Sequence, residues 1–303
     1  MRINSLFTLI TISVLFTACG TQKRLATATE RSQTAKEHLA NNNKQLTELE
    51  SKVAIKLNNK EMDTSINTQI ASIINKLKQN LDSTQRTIDA IDFFLNEKKN
   101  FRPKLYESSI SPLVSQLDSF ELQKKTRDRI YQLLTEAVDV KAVERYHMGA
   151  FFEPGIYRMA PKTFNDINKS FSPAIDSIAA LSNRFADIKR TAYLVIVGYA
   201  DATRITPGTA LYNELKYLIK VDNPQNSQLN QKLSDLRSQE LLRYLKLIMQ
   251  NNASKFKNYN QLRLGYLNYG RGEELPFKNL KNYTDNDERR RVVVFYWTIL
   301  PTL

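Results

Sequence analysis

Cysteine is almost missing from this chain. A single one, Cys19, in 303 residues excludes an internal disulfide and any thiolate zinc set. Histidine is nearly as scarce, and His38 and His147 fall in different halves of the chain, which argues against a catalytic or metal-binding pair. Neither a G-x-S-x-G elbow nor a P-loop lysine occurs. The apolar run Leu6–Phe16 is well short of the ~20 residues that a stable membrane span needs. Acidic residues are outnumbered, 31 against 44 basic ones, for a net charge of +13. The excess is spread, with 21 basic and 17 acidic residues over 19–145 and 22 and 14 over 146–303. No long basic block exists beyond Arg289-Arg290-Arg291, so nucleic acid is not the expected partner, and the charge suits an anionic wall or lipid surface. These absences point away from an enzyme, and no cofactor or metal is expected.

What is present begins with an address. Met1-Arg2 gives a positive start, Leu6–Phe16 a short apolar core, and Phe16-Thr17-Ala18-Cys19-Gly20 small residues before a cut. This pattern reads as a secretory signal over residues 1–18. A cysteine at that place resembles a bacterial lipobox, which implies a lipidated N-terminal Cys19 after processing. Each buried acyl methylene contributes about 0.8 kcal/mol, so several chains hold a protein firmly on a bilayer. Gly20 in place of Asp, with no acidic residue before Glu30, suggests the periplasmic face of the outer membrane.

Residues 19–145 read as helices. Leu25, Ser32, Leu39, Leu46 and Val53 recur every seven residues, with Ala28, Ala35 and Leu49 between them, as in a coiled-coil-like seam weakened by Ser32 and Asn42. Asn58-Asn59-Lys60 interrupts it and Asp63 is a candidate cap for a second helix. There Ile70, Leu77 and Ile91 share one track and Ile74, Leu81, Ile88 and Leu95 another, until Arg102-Pro103. Ser111-Pro112 starts a third helix with Leu113, Leu117, Ile130, Leu134 and Val138 on its apolar positions. The first two either fold back as a hairpin or pair between chains. Such a Leu and Ile stripe signals packing, so the segment reads as a spacer and interaction module, in which a helix from Leu25 to Leu57 would reach roughly 50 Å.

Residues 146–303 alternate strands and helices. Strands are expected at His147–Phe152, Thr191–Tyr199, Leu262–Tyr269 and Arg291–Ile299, and helices at Lys162–Lys189 and Leu229–Gln250. The result is an α+β fold, a helical arm followed by a mixed-sheet sandwich. Between Asp201 and Asn230 lies a long excursion, residues 204–229. Thr206-Pro207-Gly208 turns the chain, Ala210–Ile219 reads as a short helix with Leu211, Leu215 and Leu218 on one face, and Asp222–Ser227 reads as an exposed loop. Replacing Thr206–Gln228 by a short Gly-Ser turn is expected to preserve the fold while changing ligand affinity or a partner contact.

Three motifs stand in order along this half. Gly198-Tyr199-Ala200-Asp201 follows an apolar strand; Asn230, Leu233, Ser234 and Arg237 make N-x-x-L-S-x-x-R; Gly270–Pro276 makes G-x-G-x-x-x-P, before Arg289-Arg290-Arg291-Val292. Together they resemble the OmpA-like peptidoglycan-binding domain, from about Tyr146 to Leu303. The chain departs from the family at Tyr199, usually His, at Arg289, usually Asn, and in the long excursion. The resemblance implies a ligand, the meso-diaminopimelate of the peptidoglycan stem peptide, whose free end carries an ammonium and a carboxylate on one carbon. Asp201 would take the ammonium and Arg237 would fork onto the carboxylate. Thr203 and Asn230 would position the peptide, and Arg290 would support the site. The expected protein is a lipid-anchored tether between outer membrane and wall. The alternative is a scaffold subunit of an envelope machine whose helical arm binds other envelope proteins.

Overall fold

The computed structural model describes residues 4–59, 62–139, 146–148, 152–160, 163–276 and 283–303; side chains of residues 4–19, 146–148 and 163–164 lie outside the description. The chain divides into two compact units, Met1–Ala54 with Ile70–Gln132, and Ile55–Gln69 with Leu133–Leu303. Among the described residues no helix is long and apolar enough to cross a membrane.

The first unit is built from most of α1 (Asn4–Asn58) and of α2 (Thr64–Leu95), the short α3 (Pro103–Leu105), α4 (Ser111–Leu122) and the start of α5 (Lys124–Asp139). The heptad seam pairs within the chain. Leu39, Leu46 and Leu49 of α1 and Ile70, Leu77, Ile88 and Ile91 of α2 are all buried. Lys36 to Asp92 and Glu50 to Lys78, both 2.7 Å, set the two helices antiparallel. The weak point Ser32 is satisfied: its hydroxyl donates to Asp92 Oδ1 at 2.7 Å. α4 joins them through Arg31 to Asp118 at 2.8 Å and His38 to Glu121 at 2.7 Å. Asp63 does cap α2, its Oδ1 accepting from the Ser65 amide at 2.9 Å.

Several boundaries differ from expectation for local reasons. α2 stops at Leu95, ahead of Arg102-Pro103, because the Asn100 side chain donates to the Phe94 carbonyl at 3.1 Å and closes the helix end. The third helix is two, α4 and α5, parted at Gln123, where the Arg127 guanidinium folds back onto the Phe120 carbonyl and ring.

The second unit carries β1 (Tyr146–Met148), α6 (Thr163–Arg184), β2 (Arg190–Gly198), α7 (Ala210–Ile219), α8 (Asn226–Asn251), β3 (Leu262–Gly270) and β4 (Val293–Pro301). The first strand is shorter than His147–Phe152; residues 149–151 lie outside the description and Phe152 is not in a strand. α6 ends five residues before Lys189, since Arg190 is pulled inward to bond Ser182 Oγ at 2.7 Å and the Lys257 carbonyl at 2.7 Å. The sheet is mixed, in the order β1-β4-β2-β3, with β2 parallel to β3 and antiparallel to β4. Ile167, Phe171, Ile175 and Ile178 of α6 are fully buried, and Phe171 meets Phe295 edge-on at 5.0 Å.

Helix α8 lies across β2 and β3 at close range. A Cβ on Gly198 would fall 2.1 Å from the Ser234 carbonyl oxygen, and one on Gly270 2.1 Å from Ser234 Oγ. From the strand positions between, Tyr193 donates to Gln69 at 3.1 Å and Tyr269 to Asp63. The α1–α2 turn therefore belongs to the same compact unit as the sheet.

Candidate functional site

The sheet topology gathers the motifs. Because β2 and β3 are parallel and in register from Arg190↔Leu262 to Gly198↔Gly270, both end at the same edge. β4, antiparallel to β2, begins there, with Val293 opposite Gly198. Asp201, Glu273 and the arginines before β4 thus meet at one end of the sheet. Backbone bonds seal the junction: Tyr199 N to Val292 O at 2.9 Å, Ala200 N to Gly272 O at 2.8 Å and Ala202 N to Asp285 O at 2.7 Å.

The second motif turns its polar residues to this edge. Leu233 packs in an apolar cluster with Ala200, Leu215 and Leu229. Ser234 Oγ donates to the Gln231 carbonyl at 2.7 Å and accepts from the Gly272 amide at 2.9 Å. Asn230, 1% exposed, donates to the Thr203 carbonyl at 3.3 Å and to Glu273 Oε1 at 2.7 Å. Thr203 itself is exposed, and its amide donates to Asp201 Oδ1 at 3.2 Å.

Asp201 and Arg237 are both buried here, but not bonded to each other. The Arg237 guanidinium, 1% exposed, donates to three carbonyls: Tyr199 at 3.1 Å, Ile156 at 3.0 Å and Glu153 at 3.4 Å. Burial lowers its pKa to about 10, against the Asp201 charge, which raises it, and together with the Arg291 charge. Asp201 pairs instead with Arg291, whose Nη1 lies 2.8 Å from Asp201 Oδ2. Arg291 also donates to the Asn286 carbonyl at 2.8 Å. Arg290, which the motif singled out, points to the loop: it donates to the Glu273 carbonyl at 2.7 Å and to Thr284 O at 3.4 Å. The set amounts to one carboxylate beside two guanidinium groups, the charges a zwitterion needs, each already bonded within the protein.

Two residues of this edge escaped the sequence reading. Arg291 is one of three successive arginines ahead of a strand, and only the turn Glu288–Arg290 decides which one reaches Asp201. Glu273, inside the Gly270–Pro276 motif, accepts from Asn226 at 3.2 Å as well as from Asn230. Its place after Gly272, a residue with φ +52°, is the signal that a tight turn presents it.

The excursion forms the helix expected at Ala210–Ile219, with Thr209 capping it through the Tyr212 amide at 3.2 Å. α8 begins at Asn226, earlier than expected, on a Gln225/Gln228 capping box. Leu215 is fully buried against Ala200, Leu229 and Leu233. Two clefts flank α8. One of about 490 Å³ is lined by Tyr157, Arg158, Leu236, Glu240 and Arg243 among others, and one of about 410 Å³ by Leu218, Ile219, Gln228, Gln231 and Lys232 among others. Neither lining includes Asp201 or Arg237.

Among the described residues no group of three or more His, Cys, Asp or Glu is placed to hold a metal ion. The Cys19 side chain lies outside the described residues, as does that of His147. No protein-family model matches the chain, and neither a curated protein nor a solved structure matches it.

Proposed function

We propose that this chain is a lipid-anchored protein of the outer membrane, facing the periplasm, that binds peptidoglycan non-covalently through the diaminopimelate of the stem peptide. The observation that carries the reading is the meeting of Asp201 with Arg237 and Arg291 at the edge where β2, β3 and β4 converge. The order of elements, alternating strands and helices on a mixed sheet, agrees with the resemblance to OmpA-like domains drawn from the motifs. Asp201 would receive the ligand ammonium, and a guanidinium its carboxylate, by two parallel charge-assisted hydrogen bonds. Gly198 and Gly270 let α8 approach closely enough to bring Asn230 and Arg237 to the strand ends. Cys19, at the head of the helical arm, would supply the anchor.

A second reading is favoured by one observation: the site's charges already have partners, three carbonyls for Arg237 and Arg291 for Asp201. A chain that had lost wall binding would serve as a scaffold of an envelope machine, with the helical hairpin as its partner surface. Cell fractionation of Cys19→Ser, together with co-sedimentation of the full chain with diaminopimelate-type wall sacculi, separates the two. The tether reading expects loss of membrane association in Cys19→Ser and sedimentation of the native chain with the wall; membrane association without sedimentation favours the scaffold.

A further inference from the structure

The three carbonyls that hold Arg237 come from two places. Tyr199 belongs to the end of β2, but Glu153 and Ile156 belong to a separate turn, Glu153-Pro154-Gly155-Ile156, closed by the Ile156 amide on Glu153 O at 3.0 Å. Gly155 sits at φ +70°, a left-handed conformation that suits glycine. Phe152, 3% exposed, lies with its ring centroid 5.5 Å from the Arg237 guanidinium. The turn and Phe152 together cover the cation that the proposed ligand would need.

What keeps this turn down is the excursion. Leu211 of α7 approaches Gly155 so closely that an added Cβ would lie 3.2 Å from its Cδ2. The Tyr157 hydroxyl donates to Glu214 Oε1 of α7, and Arg158 Nη2 meets the same oxygen at 3.2 Å. The Tyr157 ring packs with Leu211, Tyr212 and Leu236 on the cluster that contains Leu215. Burial and Glu214 both raise the pKa of Tyr157, so it remains the donor of the pair at neutral pH. On its far side, beyond the bonds from Arg237, the chain is also tied to α8 through Met159 N, which donates to Glu240 Oε1 at 3.2 Å.

We infer that the Glu153–Arg158 turn is a latched cover over Arg237, and that Glu214 on α7 is the catch. With the latch closed, the Arg237 donors are spent on carbonyls. With it open, Glu153 and Ile156 withdraw, and two of the three acceptors leave the guanidinium free to fork onto a ligand carboxylate. The excursion thereby sets the affinity of the site without supplying a charge to it. The role in ligand access rests on the wall-binding reading; the latch itself does not.

The test uses the full chain and two variants that leave the turn's backbone and its packed ring in place. Tyr157→Phe removes the hydroxyl and keeps the packed ring; Glu214→Ala removes the catch and leaves a good helix former. Phenylglyoxal modification of Arg237, mapped by mass spectrometry, reads access directly. Losing a hydrogen bond to a charged group should open the cover about tenfold more often, so both variants should be modified about tenfold faster. The double variant should differ little from Glu214→Ala alone, because both changes break the same bond. Hydrogen exchange should rise over residues 152–160 and stay unchanged in β2. Unchanged modification rates, or a rise in β2 exchange in step with the turn, would overturn the latch. In sacculus co-sedimentation both variants should bind more tightly than the native chain. Faster modification with no wall binding by any form would refute the wall-binding reading and leave the latch standing.

Discussion

Removing the Asp201 carboxylate tests the charge cluster in the absence of any ligand. In Asp201→Ala the Arg291 guanidinium, with its side chain 13% exposed, loses a partner at 2.8 Å and, among the described residues, keeps the Asn286 carbonyl. The more deeply buried Arg237 loses the one nearby charge that offsets its desolvation, while the repulsion from Arg291 persists. Breaking a buried pair by deleting one partner costs roughly 3–5 kcal/mol. The residual exposure of Arg291 and its remaining carbonyl put the expectation near the lower end, about 3 kcal/mol. The chain's single tryptophan makes the assay specific. Trp297 lies in β4, 5% exposed, opposite Leu194 of β2, so its fluorescence in urea reports unfolding of the unit that carries the site. Arg291→Ala should be milder, and the double variant should fall short of the sum of the two by ~2 kcal/mol, the coupling expected of residues in contact. A loss below about 1 kcal/mol for Asp201→Ala, or strict additivity in the double variant, would mean that Asp201 and Arg291 are not a coupled buried pair.

Leu215→Ala empties a fully buried position between α7 and α8 and should cost about 3 kcal/mol by the same fluorescence assay; a neutral result would mean that the excursion is peripheral after all. Alkaline pH should destabilise the same unit. Burial raises Tyr266 to about 12 from its ordinary 10, and Tyr199 and Tyr269 are raised further, so the folded chain holds protons that the unfolded chain releases. Their stabilisation is complete below pH 10 and is lost as pH rises towards 12 and beyond. Arg237, lowered to about 10, and Arg190, also lowered by burial, work in the opposite direction but are two groups against these three tyrosines. Stability that holds or increases across this range would contradict the burial of these tyrosines.

The helices were legible in the sequence because their signals are local. The heptad tracks, Asp63 before α2, Ser111-Pro112 before α4 and the Ala210–Ile219 helix are each written within a few neighbouring residues. Helix ends were less legible where a distant atom sets them. The Asn100 side chain closes α2 over the Phe94 carbonyl, and Arg190 draws the chain inward after α6. The site follows the same division. The motifs locate Asp201, Asn230 and Arg237 at one edge, since strand ends and a helix face are periodic features. Which arginine meets Asp201 depends on a single turn before β4, and the partners of Arg237 are backbone carbonyls, which no side-chain pattern encodes. The burial of Leu215 against Ala200 is not written in the local pattern of the excursion, because it joins segments on either side of the Asp201 turn.

The most direct measurement is calorimetric titration of the full chain with a stem tripeptide ending in meso-diaminopimelate, beside the same peptide ending in lysine, which keeps the ammonium and lacks the second carboxylate. Saturable binding of the diaminopimelate peptide is expected, with weaker binding of the lysine peptide and loss of more than about tenfold in affinity in folded Asp201→Asn and Arg237→Lys chains. Equal binding of the two peptides, or undiminished binding by both folded variants, would contradict the wall-binding reading.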